Sequence, residues 1–238
     1  MPATECQESK GLRRQKSTPR KKAMTIALGM ICRDGVVIAS DTELSAENYD
    51  KTHESKIHFF NSDGRSLLLG YADTPSLDRE AREKIVRRLA PSQPTPQAVY
   101  DACEEVFTQM REFHGDLELQ MVIGASCPAS DTKLIVFDSA GLYWEHGIKC
   151  LGTGDCSLTN YLAKAAYHPT MTTAEGRRLA AYLVKCAKRY VDGCSGDTLL
   201  YSIHDGGEIR GTPPEDILAL DSEMLAREDD GIKLIIGL

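Results

Sequence analysis

The order in which hydrophobic periodicity changes along the chain restricts its architecture more than any other feature. From Met24 the chain becomes densely apolar, and Asp34-Gly35 lies between two runs rich in Ile, Val, Ala and Met. Two such runs across an Asp-Gly turn predict a β-hairpin. A second hairpin is expected from Ile57–Phe60 and Ser66–Tyr71 across Ser62-Asp63-Gly64. The period then becomes helical. Pro75–Leu89 sets Leu77, Ala81, Ile85 and Leu89 four residues apart, and Thr95–His114 puts Val99, Cys103, Val106 and Met110 on one stripe. Strand patterns return at Leu117–Cys127, Lys133–Asp138 and Gly141–Glu145. Helices are predicted at Ser157–Tyr167 and Thr173–Tyr190, then strands at Thr198–His204 and Glu208–Gly211 across Asp205-Gly206-Gly207. An acidic segment, Glu215–Asp230, leads to Ile232–Ile236, which reads as a final strand. A parallel sheet would need a helix between successive strands. Two antiparallel sheets with helices on both outer faces, an α+β sandwich, satisfy the order with short connections.

Charge separates the first residues from the rest. Residues 1–22 carry seven Lys/Arg and two Glu, a net charge of +5, whereas the whole chain of 238 residues is at −7. This stretch lacks periodicity and cannot bury enough apolar surface to order itself. The expectation is therefore a basic tail or propeptide over 1–24 and one domain over 25–238. An acidic body has no face with which to neutralise phosphates, so nucleic acid is not an expected partner. No run approaches the roughly 20 apolar residues that span a bilayer. The eight cysteines form no CxxC pair and have no close histidine partners. They read as buried small side chains in a reducing, cytoplasmic setting, without a metal.

Four segments carry chemistry. The first is Thr25–Asp41, TIALGMICRDGVVIASD. The second is Ser55-Lys56-Ile57, and the third is Leu69-Gly70-Tyr71-Ala72-Asp73. The fourth combines Gly152-Thr153-Gly154 with Asp192-Gly193-Cys194-Ser195-Gly196. Singly each has a plainer reading: Lys56 a solvated charge, Asp41 a turn residue, Asp192 a polar turn closing a helix. Together, in this order over roughly 190 residues, they resemble the active-site frame of proteasome β-subunits and of the related bacterial peptidase ring. The resemblance implies an N-terminal-nucleophile hydrolase fold, a four-layer αββα sandwich. Residue by residue it implies Thr25 as nucleophile, Asp41 and Lys56 beside it, and Gly70 as the oxyanion donor. Thr153, Asp192 and Ser195 are carried over as the surrounding network. Thr153 stands where the family usually has serine, and Glu43 stands where active members commonly have arginine.

The residue types suit the chemistry. A threonine hydroxyl needs a nearby base, and a free α-amino group, with a pKa of about 7.7–8, is poised for that role near neutral pH. A neighbouring lysine held by a carboxylate lowers the proton affinity of both groups. A fixed backbone N–H meets the charge that develops on the carbonyl oxygen. While Met24 precedes it, the Thr25 nitrogen is an amide and no base, so activity requires loss of residues 1–24, either by cleavage or by translation from Met24 with an aminopeptidase then trimming that methionine. Glu43 leaves two arrangements open, weaker support of Lys56 or an Asp41–Lys56–Glu43 set. The resemblance implies homo-oligomeric rings, with 75–89 and 95–114 as the helix pair between them. It also implies unfolded protein or peptide substrates, an ATPase unfoldase as possible partner, and no organic cofactor or metal. A catalytically silent ring subunit and an amidase for small non-peptide amides are the competing functions. Substrate preference would depend on which of Ser45, Ala46, Glu47 and Tyr49 face the cleft.

Overall fold

A computed structural model describes residues 25–45, 51–62, 64–90, 92–115, 117–128, 130–155 and 157–236. The basic segment 1–24 lies outside the described residues, as do Ala46, Glu47 and Tyr49. The first sheet contains β1 (Ile26–Cys32), β2 (Gly35–Asp41), β10 (Ile148–Gly152), β11 (Thr198–His204) and β12 (Ile209–Gly211), in the order β10-β1-β2-β11-β12. The second runs β5-β6-β7-β8-β9, from β5 (Ile57–Ser62), β6 (Arg65–Asp73), β7 (Leu119–Ser126), β8 (Lys133–Asp138) and β9 (Gly141–Glu145). Every pairing is antiparallel. A short ribbon, β3 (Glu43–Ser45) with β4 (Lys51–His53), leaves the end of β2.

The sheets pack face to face. Ala27, Val36, Ile38, Ile57, Leu68, Ala72, Val122 and Ile203 fill the space between them, and all are buried. Helices α1 (Pro75–Leu89) and α2 (Pro96–His114) cover the second sheet through Ala81, Ile85, Leu89, Val99, Val106 and Met110. Helices α3 (Ser157–Ala166), α4 (Thr173–Tyr190) and α5 (Pro214–Ile236) cover the first. Each fully buried Leu, Ile or Val contributes about 1.5–3 kcal/mol relative to exposure. These helices therefore hold by their apolar stripes rather than by propensity. The result is the four-layer αββα sandwich.

Local signals explain the anchoring. Thr172 and Glu175 form a reciprocal capping box at the start of α4. Asp34, in the β1–β2 turn, accepts hydrogen bonds from Thr173 N at 2.7 Å and Thr173 Oγ1 at 3.0 Å. The first hairpin is thus tied to the helix that covers it. Among the described residues no helix is long and apolar enough to cross a membrane. The six described cysteines are buried; Cys6 and Cys156 lie outside.

One element differs from expectation. Ile232–Ile236 is not a strand but the end of α5, which starts at Pro214. Ile217, Leu220 and Met224 recur at helical spacing and pack on the core under α4, so the acidic segment is one amphipathic helix. A short apolar run at its end cannot be told from a strand by periodicity alone. Two elements, β10 and the β3–β4 ribbon, were not expected from the pattern.

Candidate active site

The register of the first sheet assembles the site at one end of the inter-sheet space. Ile26 pairs with Gly152 on one side of β1, which sets Thr153 beside Thr25. Ala27 pairs with Ser40 on the other side, which brings up Asp41, and Asp41 pairs with Thr198 of β11, next to the 192–197 turn. Lys56 arrives from the second sheet, immediately before β5. Gly152 has φ +81°, and a Cβ there would come 2.4 Å from the Thr25 carbonyl oxygen and 3.0 Å from Ala72 Cβ. That turn admits only glycine.

The carbonyl of Thr25 accepts from Gly154 N at 2.9 Å and from Thr153 Oγ1 at 3.3 Å. Its nitrogen donates to Thr153 Oγ1 at 2.9 Å. Its side chain is 1% exposed, and Oγ1 donates to Asp41 Oδ1 at 2.7 Å while accepting from Lys56 Nζ. Lys56 is fully buried and donates also to Asp41 Oδ1 at 2.7 Å and to the main-chain oxygen of Glu43. An ammonium has three protons, and these three acceptors use all of them. Asp41 accepts in addition from Ile26 N at 3.2 Å and, through Oδ2, from Ser195 N at 3.2 Å. Burial pulls the Lys56 pKa below the ordinary lysine value, and the Asp41 charge and hydrogen bond oppose that pull.

The remaining expected residues divide. Ser195 enters through its main chain: its N–H reaches Asp41, and its carbonyl accepts from Glu43 N at 3.2 Å. Asp192 is exposed in the turn after α4, and its carboxylate takes no part in this network. Gly70 lies in β6 between Ile57 and Val122. A Cβ there would come 2.7 Å from Ile38 Cγ2 and 3.1 Å from Val122 Cγ2, so close packing of the sheets also requires glycine. Glu43 is fully buried, and the oxygen that accepts from Lys56 Nζ is its main-chain carbonyl, a contact independent of its side-chain charge.

The proteasome subunit family matches residues 21–201. The chain belongs to the proteasome subunit family. It is 30% identical over 193 residues to proteasome subunit beta 2 of Pyrobaculum neutrophilum, an alignment covering 77% of this chain and 90% of that protein. Among solved structures it resembles Anbu from Hyphomicrobium sp. strain MC1, with TM-score 0.74, 13% identity, and coverage of 88% of this chain and 97% of that one. Anbu from Yersinia bercovieri, described as an ancestral beta-subunit, gives TM-score 0.74 at 14% identity, covering 90% and 97%. The helically assembled Anbu complex from Pseudomonas aeruginosa gives 0.69 at 14% identity, covering 88% and 96%. At these identities the likeness to Anbu concerns the fold.

This proteasome-family site includes residues that the pattern alone did not single out. Thr42 Oγ1 accepts from Asp197 N at 2.8 Å and lies 3.3 Å from His53 Nδ1, which ties the end of β2 to both the 192–197 turn and the β3–β4 ribbon. Gly196, at φ +77°, permits this approach, because a Cβ there would meet Thr42 Oγ1 at 2.4 Å. The buried thiol of Cys194 hydrogen-bonds Thr153, and its pKa is pushed up to about 12, mainly by burial and then by the Asp41 charge. It is an inert neighbour at neutral pH. Residues that pack a network through main-chain atoms leave no side-chain signature in a sequence.

Proposed function

We propose that this chain is a threonine endopeptidase of homo-oligomeric proteasome-type assemblies, with residues 25–238 as its working domain and Thr25 as nucleophile once residues 1–24 are gone. The observation that carries the reading is the position of Thr25 Oγ1 between Lys56 Nζ and Asp41 Oδ1. A buried ammonium donating to that oxygen stabilises the negative charge it acquires as its proton leaves. The proton goes to the α-amine of the same residue, a base only after cleavage before Thr25. Asp41 keeps Lys56 charged and aimed, and Thr153 orients the amine. The N–H of Gly70 is the proposed donor to the substrate oxyanion. Ser195 supports Asp41 through its main-chain N–H, and Asp192 lies outside this set.

Family membership supports peptide bonds as the substrate class and assembly from many copies, with an ATPase unfoldase as a candidate partner. Thr25→Ala should abolish hydrolysis of fluorogenic peptides while leaving the thermal transition in place. Intact mass should show wild-type chains beginning at Thr25. Full peptidase activity in Thr25→Ala would overturn the assignment.

The exposure of Asp192 favours a second reading, a catalytically silent ring subunit with a retained polar core. Chains that keep residues 1–24 and hydrolyse nothing would support it.

A further inference from the structure

A second group of buried polar side chains lies on the other face of β5–β6, under α1. Tyr71 of β6 and Asp78 of α1 are each 1% exposed, and His58 of β5 is half-buried. The His58 and Tyr71 rings stack with centroids 6.1 Å apart and planes 6° from parallel. Asp78 Oδ2 accepts from Arg82 Nε at 2.8 Å and lies 3.6 Å from His58 Nε2. Three atoms here, Tyr71 Oη, Asp78 Oδ1 and His58 Nε2, are buried without a hydrogen-bond partner from the protein.

Buried polar groups in native proteins are nearly always satisfied, by protein or by ordered water. Three orphans on one small set of touching side chains therefore point to a shared occupant. Its chemistry follows from theirs. A carboxylate oxygen needs a donor, while a phenol and an imidazole nitrogen each donate or accept. An apolar molecule satisfies none of them. A cation is poorly matched, because Asp78 is already paired with Arg82, and no cluster of three or more His, Cys, Asp or Glu side chains suited to a metal occurs among the described residues. A small molecule that both donates and accepts meets all three, and a buried water normally makes about three such bonds. His58 and Arg82 also line a neighbouring cavity of about 300 Å³, with Phe60, Leu69 and Val86 on its walls.

We propose that Tyr71 Oη, Asp78 Oδ1 and His58 Nε2 bind one ordered water molecule that fastens α1 to β5 and β6. The fastening reaches the active-site end of the strands, because Tyr71 N donates to Lys56 O at 3.2 Å and Tyr71 follows Gly70. The water thus positions the segment that presents Lys56, though its existence does not depend on what Thr25 does.

Two measurements on the full chain test this. A high-resolution crystal structure should show an ordered water within about 3.2 Å of all three atoms. Empty density, or Tyr71 Oη bonded directly to Asp78, overturns the proposal. Tyr71→Phe should lower Tm by about 3 °C, because it removes one of the water's partners and leaves the ring in place. An unchanged or raised Tm would mean that the hydroxyl was never satisfied, and would equally overturn it. Neither readout changes if Thr25 proves inert, so failure here is distinct from failure of the peptidase reading.

Discussion

Two buried polar clusters flank the β5–β6 strand pair, and they are built on opposite principles. Around Thr25 every proton of Lys56 has a protein acceptor, and Asp41 takes hydrogen bonds from two side chains and two main-chain N–H groups. Around Asp78 only one carboxylate oxygen is held, by Arg82, and three neighbouring atoms have no protein partner. The first cluster holds its charges by enclosing them in a fixed set of bonds. The second relies on a single ion pair and burial, and burial there disfavours ionisation: Asp78 is pushed up to about 6 and His58 down to about 4. In the first cluster burial lowers the Lys56 pKa against the opposing pull of Asp41, whereas in the second the Asp78 carboxyl, at about 6, titrates near the physiological range.

Lys56→Met should separate the two most sharply. It strands Asp41 as a buried carboxylate without its cation, a change that costs about 3–5 kcal/mol, and it should lower peptidase turnover by at least about 10³-fold. Denaturant unfolding beside a peptidase assay checks both, and near-wild-type activity would remove Lys56 from the mechanism.

Gly70→Ala comes next, since its methyl would sit 2.7 Å from Ile38 Cγ2. Overpacking of this kind costs about 1–3 kcal/mol. Combining it with Ile38→Leu, which lacks the Cγ2 methyl, should restore part of the stability. If activity returns as well, Gly70 is a packing residue; if activity stays low, the oxyanion role stands.

Asp78→Asn reads the other cluster through pH. The folded carboxyl titrates above its unfolded value of 3.8, so its stabilising contribution is complete below about pH 4 and is lost as pH rises through about 6. The shift corresponds to at most about 3 kcal/mol. Wild-type Tm should therefore fall relative to that of Asp78→Asn between pH 4 and 7, and parallel curves would contradict the assignment.

Lys56 has the opposite sense, being lowered, so the alkaline limb of activity should lie below the ordinary lysine pKa of 10.5. A limb at or above that value would argue against a buried ammonium at the nucleophile. The smallest change expected is in Thr153→Val, about 1 kcal/mol from lost hydrogen bonds to Thr25, read as a modest fall in Tm.

The layers were legible in the sequence because their causes are local. Asp34-Gly35 marks the first turn, and Ala81, Ile85 and Leu89 trace one side of α1. Elements whose cause is tertiary were not. Ile148–Gly152 becomes a strand only because β1 presents an open edge, and the α5 stripe of Ile217, Leu220 and Met224 is diluted by surrounding acids. The site followed the same division. Thr25, Asp41, Lys56 and Thr153 are juxtaposed by side chains that the sequence names, whereas Glu43 and Ser195 reach the lysine and the aspartate through main-chain atoms. Asp192 matched by spacing, yet its placement depends on the rotation of a turn.

One detail of the first strand bears on how such a chain would come alive. Residue 25 is moored by its own carbonyl and by the N–H of Ile26, both downstream of the peptide bond between residues 24 and 25. Severing that bond would leave hydroxyl, lysine and aspartate where they already stand and would alter the character of one nitrogen alone. Ripening of this site would then be the conversion of one nitrogen from amide to amine within a finished mould.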